Sequence, residues 1–323
     1  MLRRTIAPLA SAVALAATSL LAAQASTPAA APAQTAPAAP KADLPSAASL
    51  FEKQLAASGG REAFEAITAM SSTASMKMPA MGVNGTMTAH FSAPKDGASA
   101  FVVLMNLPGI GDVKTGFDGT VGWSMDQMRG PRLLEGKELE QIKNDSDFRR
   151  EMSLHTQYES ATVVGLSTWA DKPAYEILLK GRKGGDPAQS VTVFLDQATS
   201  LMTGMRMMAE TPAGQVPVVT TIREYKGFEG PKGTVQLPVK TELSFMGQQQ
   251  LLEVQTVEFK PIDAATFALP AEIAALVKAR NEAPAAAPAT QPAAQPANAP
   301  ANAPAAAPTG DAPKTTPPAA PAR

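Results

Sequence analysis

The chain contains no cysteine. That absence excludes disulfides, thiolate metal sites and a lipid-modified cysteine behind a leader. Histidine is nearly absent too, with only His90 and His155 among 323 residues. His155 follows Glu151 by four positions, which on a helix supplies half a metal site at most, and His90 has no partner in sequence. Aromatic residues make up 5% of the chain, and the formal net charge is −1 with no long basic run, so nucleic acid is not expected as a partner. No nucleophile elbow, HExxH or phosphate loop occurs. Gly181–Gly185 carries Arg182 and Lys183 but opens no helix, so it reads as a strand connection and not a phosphate cradle. The sequence therefore predicts a non-catalytic protein with no cofactor.

What is present falls into four parts. Residues 1–25 read as a signal peptide, with Arg3 and Arg4, the apolar stretch Ile6–Ala22 and the small-residue site Ala23-Gln24-Ala25. Pro8 and the many alanines argue against an uncleaved anchor, which needs about 20 strongly apolar residues. The expected location is the periplasm of a Gram-negative envelope or the exterior, with the protein not itself membrane-anchored. Residues 26–42 and 281–323 are Ala/Pro-rich and read as a disordered linker and tail, because they bury too little surface to offset chain entropy. Residues 43–280 have the size of one mainly β domain.

Two helices open that domain. Leu44–Ala57 carries Leu50, Phe51 and Leu55 on one side, starts at Asp43 or Ser46 as a cap, and stops at Ser58-Gly59-Gly60. Arg61–Met70 reads as the second. Alternating segments follow at Ser71–Met78, Asn84–Phe91, Ala98–Asn106, Gly111–Phe117 and Thr120–Asp126, the last pair joined by Asp118-Gly119 as a two-residue turn. Glu135–Thr156 breaks the alternation and suits helices interrupted near Asn144-Asp145. Strands resume at Ala161–Thr168, Pro173–Lys180, Gln189–Asp196, Leu201–Met208, Gln215–Tyr225, Val235–Phe245 and Gln249–Phe259. In the last of these Leu252 and Val254 share a parity that Val257 and Phe259 do not, which predicts a bulge. A short helix, Ala271–Arg280, follows Pro270. A run of about eleven antiparallel strands must curl or close, with the helices as a lid or plug.

Three stretches carry a family resemblance: Gly116-Phe117-Asp118-Gly119-Thr120-Val121-Gly122-Trp123, Phe194-Leu195-Asp196-Gln197-Ala198-Thr199-Ser200-Leu201, and Pro261-Ile262-Asp263-Ala264-Ala265-Thr266-Phe267-Ala268-Leu269-Pro270. Together with the order helix, Gly-Gly, helix, strands, the chain resembles exported bacterial proteins of the outer-membrane lipoprotein-sorting-like, LolA/LolB-type family over roughly residues 46–270. The resemblance implies an unclosed antiparallel β-barrel of about eleven strands with helices inside and a hydrophobic cavity for acyl chains. The implied partner is a lipid or the acyl chain of a lipoprotein. The alternative is an envelope protein-interaction or sensing module on the same fold.

Fifteen methionines are the oddest feature of the composition. They read either as adaptable walls for variable alkyl chains or as ordinary core filler. On alternation, Met76, Met78 and Met87 are candidate cavity-lining residues, with Phe101 and Val103 on the next strand. Val121, Trp123 and Met125 share a face, and Ile177, Leu179, Leu237 and Val239 complete the set. Trp169, in the polar loop Ser167–Lys172, suits a contact patch or the cover of a barrel rim. Asp118 and Asp196 read first as turn formers.

Overall fold

The computed structural model describes residues 44–93, 98–183, 189–211 and 214–282. By contacts the chain divides into Met1–Asn281 and Glu282–Arg323, and all described residues but Glu282 fall in the first unit. Among the described residues thirteen strands form one antiparallel sheet. In chain order they are β1 (Ala69–Met78), β2 (Val83–Ser92), β3 (Ala100–Leu107), β4 (Gly111–Phe117), β5 (Gly122–Asp126), β6 (Gly130–Leu134), β7 (Tyr158–Trp169), β8 (Lys172–Arg182), β9 (Ser190–Asp196), β10 (Met202–Thr211), β11 (Gly214–Gly230), β12 (Gly233–Phe245) and β13 (Gln248–Glu258). The spatial order is β6-β5-β4-β3-β2-β1-β13-β12-β11-β10-β9-β8-β7. Two meanders thus meet at the pairing of β1 with β13, and the sheet is open at β6 and β7.

Directly paired residues share a face of a sheet. Met70 pairs Phe91, Phe91 pairs Phe101 and Phe101 pairs Phe117, which defines an apolar inner face. The neighbouring row, Ser71, His90, Val102, Gly116 and Trp123, lies on the outer face. The expected bulge in β13 is present. Thr73 pairs Thr256 while Ala74 pairs Val254, so Gln255 is the extra residue that returns Val257 to the inner side.

Four helical pieces meet the inner face. Helix α1 (Ala47–Ala57) buries Leu50, Phe51 and Leu55, and the Ser46 hydroxyl caps it by accepting from the Ser49 N–H at 3.2 Å. Asp43, the other predicted cap, lies outside the described residues. Gly59 has φ +122°, and a Cβ there would stand 2.5 Å from the Thr234 carbonyl, so the helix end needs glycine to press against β12. The Gln236 N–H then donates to the Ser58 carbonyl at 2.8 Å. Helix α2 (Arg61–Glu65) buries Ala63 and Phe64. Helix α3 (Gly136–Asp145) and a 3₁₀ segment, Phe148–Gln157, connect β6 to β7 and so run from one edge of the sheet to the other.

That connection fixes the curvature. Thirteen strands laid flat would set the edges about 58 Å apart at about 4.8 Å per gap. Helix α3, the 3₁₀ segment and their linkers reach about 45 Å end to end at most. The edges must therefore approach each other, and the sheet curls around the helices. Helix α4 (Ala271–Glu282) packs instead on the outer face, where Ile273 is fully buried against Trp123 and Val102.

The thirteen strands exceed the expected number of about eleven: twelve match the segments read from the sequence, and β6 is the addition. Gly130-Pro131 resembles a break and predicts no strand at β6; proline is tolerated there because β6 is an edge strand. The second helix stops at Glu65, not Met70, since Ala69 and Met70 already pair with Ser92 and Phe91. The turn at Asp118-Gly119 is a four-residue loop, because Phe117 pairs Gly122. Of the two turn residues only Gly119 has positive φ; the Asp118 carboxylate instead accepts from the Thr120 and Val121 N–H groups at 2.8 and 2.7 Å. Asp196 closes its own turn the same way, accepting from the N–H groups of Ala198 and Thr199.

Candidate functional site

The inner face carries two apolar clusters. The first spans β1 to β6 with β12 and β13 and includes Met70, Met76, Met78, Met87, Phe91, Met105 and Phe117. The second spans β8 to β12 and includes Val191, Val193, Met205, Met207 and Phe245, with Phe51 of α1. The edge-to-edge connection crosses both. Its Ile142 and Phe148 are buried in the first cluster, and Leu154 packs on the second. Phe148 meets Phe91 edge-on at 6.2 Å between centroids, and Phe91 stacks on Phe101 at 5.8 Å. At its β6 end the connection is tied by Arg132 to Glu138 at 2.8 Å, a half-exposed pair of modest worth. The inner face is thus an oily surface roofed by a strap that crosses it once, and at the β7 end of the strap the Gln157 carbonyl accepts from the Lys183 N–H at 2.9 Å.

The predicted lining residues divide among these places. Met76, Met78, Met87, Phe101, Val103 and Val239 are buried in the first cluster, with Leu237 packed on it. Ile177 and Leu179 belong to the second cluster. Val121, Trp123 and Met125 lie on the outer face, because Trp123 pairs Gly116 and Gly116 pairs Val102, a residue of opposite parity to Phe101 and Val103. Helix α4 covers them. The sequence set these three with Phe101 in one site, and the structure separates them by the thickness of the sheet.

Trp169 is the last residue of β7, paired with Lys172 and not part of a loop, and it also turns to the outer face. Its ring stacks on Phe194 at 3.8 Å and lies against Gly204, where a Cβ would come within 2.2 Å of the indole nitrogen. Arg206 reaches over the Phe194 ring at 5.7 Å and pairs with Glu176 at 3.4 Å.

The methionines separate by position. Seven lie buried in the two inner clusters, and Met81, Met128, Met208 and Met246 are exposed. Met81, Met128 and Met246 sit in the β1–β2, β5–β6 and β12–β13 turns, which the register places at one end of the sheet. The opposite end carries polar turns, among them Asp118–Val121 and Ala170-Asp171.

The two histidines lie on opposite sides of the sheet. His90 Nδ1 is 2.9 Å from the Ser71 hydroxyl on the outer face. His155, in the 3₁₀ segment, stacks on Phe51 at 4.7 Å with its Nδ1 buried and unpartnered. Among the described residues no group of three or more histidine, aspartate and glutamate side chains could hold a metal. Burial holds both imidazoles below the ordinary 6.5; for His155 Glu52 opposes this while Arg61 and Lys183 reinforce it. A depressed imidazole pKa means that the unfolded chain binds more protons in that window. Stability is then full above the unfolded value and falls as pH drops through the folded one. Urea midpoints are expected to fall between about pH 7.5 and about pH 5, and to fall less in His155→Phe. A drop of the same size in both proteins would contradict the assignment to His155.

Among the described residues no helix is long and apolar enough to cross a membrane. No family model matches the chain, and no curated protein matches it. Solved structures do match. A LolA superfamily protein of Nitrosomonas europaea is 13% identical over 70% of this chain and 99% of that one, with a TM-score of 0.44. A domain of Vibrio parahaemolyticus described as outer membrane lipoprotein-sorting is 11% identical over 67% and 97%, with a TM-score of 0.45. The lipoprotein LppX of Mycobacterium tuberculosis is 11% identical over 68% and 100%, with a TM-score of 0.29. The matches thus include the family that the turn motifs resemble.

Proposed function

We propose that this protein is a non-catalytic periplasmic binder or carrier of a lipid or lipid-modified protein, and that it holds an acyl chain between the curled sheet and the helical strap. Residues 1–25 are the cleaved leader, 26–42 and 281–323 are tethers, and 43–280 form the binding domain. The observation that carries this reading is the pair of apolar clusters along one face of an open sheet, roofed by a connection that side-chain packing, the Arg132–Glu138 pair and a backbone bond from Lys183 to Gln157 hold down. Such a strap lifts at the cost of a few buried contacts while the strand ladders stay intact. The flexible methionines then re-pack around chains of different shape.

The test is native mass spectrometry and lipid extraction of protein purified from the periplasm, together with titration of a fluorescent fatty acid. Co-purifying lipid and saturable binding are expected. Protein that is repeatedly empty and ignores the probe overturns the reading. The alternative, an envelope interaction or sensing module, draws support from the exposed Met81, Met128 and Met246 at one end of the sheet.

A further inference from the structure

We infer that Gln250 is a ligand-reading residue on the inner face, and that it accepts a hydrogen bond from a hydroxyl or amide N–H carried near the head of a bound alkyl chain. This rests on the reading of the protein as an acyl-chain binder.

In β13, Gln250, Leu252 and Val254 are all buried and point to the same side. The alternation calls for an apolar residue at 250, and glutamine stands there at 6% exposure. Its Nε2 donates to the Met78 sulfur at 3.7 Å, and its Oε1 is buried with no partner. Because a thioether is an acceptor, the NH₂ group must face Met78, and the carbonyl is the end left over. A buried carbonyl without a donor is disfavoured, and leucine or methionine would fill the position without that cost. Native cores rarely keep such a group without a use for it.

The position identifies the use. Met78 belongs to the first apolar cluster, and Leu243, the residue paired with Gln250, belongs to the second. A chain lying across both clusters passes Gln250. The residue is also two positions from the start of β13, next to the turn that carries exposed Met246 and close to Met81 beyond the end of β1. It therefore meets the part of a ligand nearest that end of the sheet. A carbonyl oxygen only accepts, so the ligand atom must donate. Plain hydrocarbon, an ester and a carboxylate do not satisfy it; a hydroxyl or an amide N–H does.

The full chain and its Gln250→Leu variant would be titrated with palmitate, 3-hydroxypalmitate and palmitamide, with displacement of a fluorescent fatty acid as the readout. The wild type is expected to bind at least one of the two donor-bearing chains about tenfold more tightly than palmitate. In Gln250→Leu the preference disappears while palmitate binding is retained, and the ligand-free variant melts no lower than the wild type. Which of the two chains gains identifies the donor as hydroxyl or amide. Equal binding of all three chains by the wild type, or a preference that survives in the variant, overturns the inference and leaves the binder reading standing. A ligand-free variant that melts several degrees lower also overturns it, because Gln250 then serves the fold through a bound water. Failure of every chain to bind sinks the binder reading, and this inference with it.

Discussion

Replacing Trp123 with alanine is expected to remove about 3–5 kcal/mol of unfolding free energy. The side chain is fully buried, and it anchors an apolar cluster on the outer face. Val102 and Ile273 close on it, with Val121, Met125, Leu133, Leu269 and Leu276 around them. Below it lies Gly116, where a Cβ would sit 2.5 Å from the indole ring. The indole thus has a bed made by a missing side chain and a roof made by α4, and alanine would leave a cavity that neither can fill. Urea denaturation followed by circular dichroism measures the loss. Gly116→Ala is expected to destabilise by about 1–3 kcal/mol through overpacking, and most of that loss should vanish in the Trp123→Ala background, because the two residues compete for one space. Full additivity of the two changes would show that the ring does not rest on Gly116.

Ile142→Ala is expected to weaken the strap by about 2–4 kcal/mol without unfolding the sheet. Ile142 is fully buried and reaches over Gly122, where a Cβ would stand 3.1 Å from its Cγ2 and 3.0 Å from Leu139 Cδ1. Glycine at 122 lets α3 sit close on β5, so this contact depends on fit. Hydrogen exchange supplies the measurement. Amides in Gly136–Asp145 should exchange roughly a hundredfold faster, while those in β1, β2 and β13 keep their rates. Fluorescent fatty acid should also enter faster. Uniform acceleration across the sheet would mean that the strap belongs to the cooperative core and cannot open by itself.

Much of the fold was legible because strand alternation and glycine stops are local. The Ser58-Gly59-Gly60 stop, the break after Asp145 and the bulge at Gln255 are each written in a few adjacent residues. Which strand faces coincide is not local. Period-two patterns assign Val121, Trp123 and Met125 to one face of their strand, but the register between strands decides which face of the sheet that is. In β3 the stretch Ala100–Val103 is buried throughout, since α4 covers one side and the inner cluster the other, so alternation there carries no signal. Gln250 had a signal that could have been read, a polar residue at an apolar parity two before Leu252. Its unpartnered carbonyl depends on Met78, 172 positions away in the chain.

The junction of β1 with β13 also bears on how the molecule comes to be made. Every other strand pairing joins neighbours in sequence, so each meander can zip as it emerges. The junction joins Ser71 to Glu258 and Thr73 to Thr256, whose hydroxyls meet at 2.7 Å. A chain that emerges from its N-terminus therefore holds one edge of β1 as a bare template until the last strand arrives. Such distant pairing slows folding, and an open edge in waiting invites wrong partners. Assembly should be rate-limited by the final docking of β13, which would leave a window for chaperones to guard.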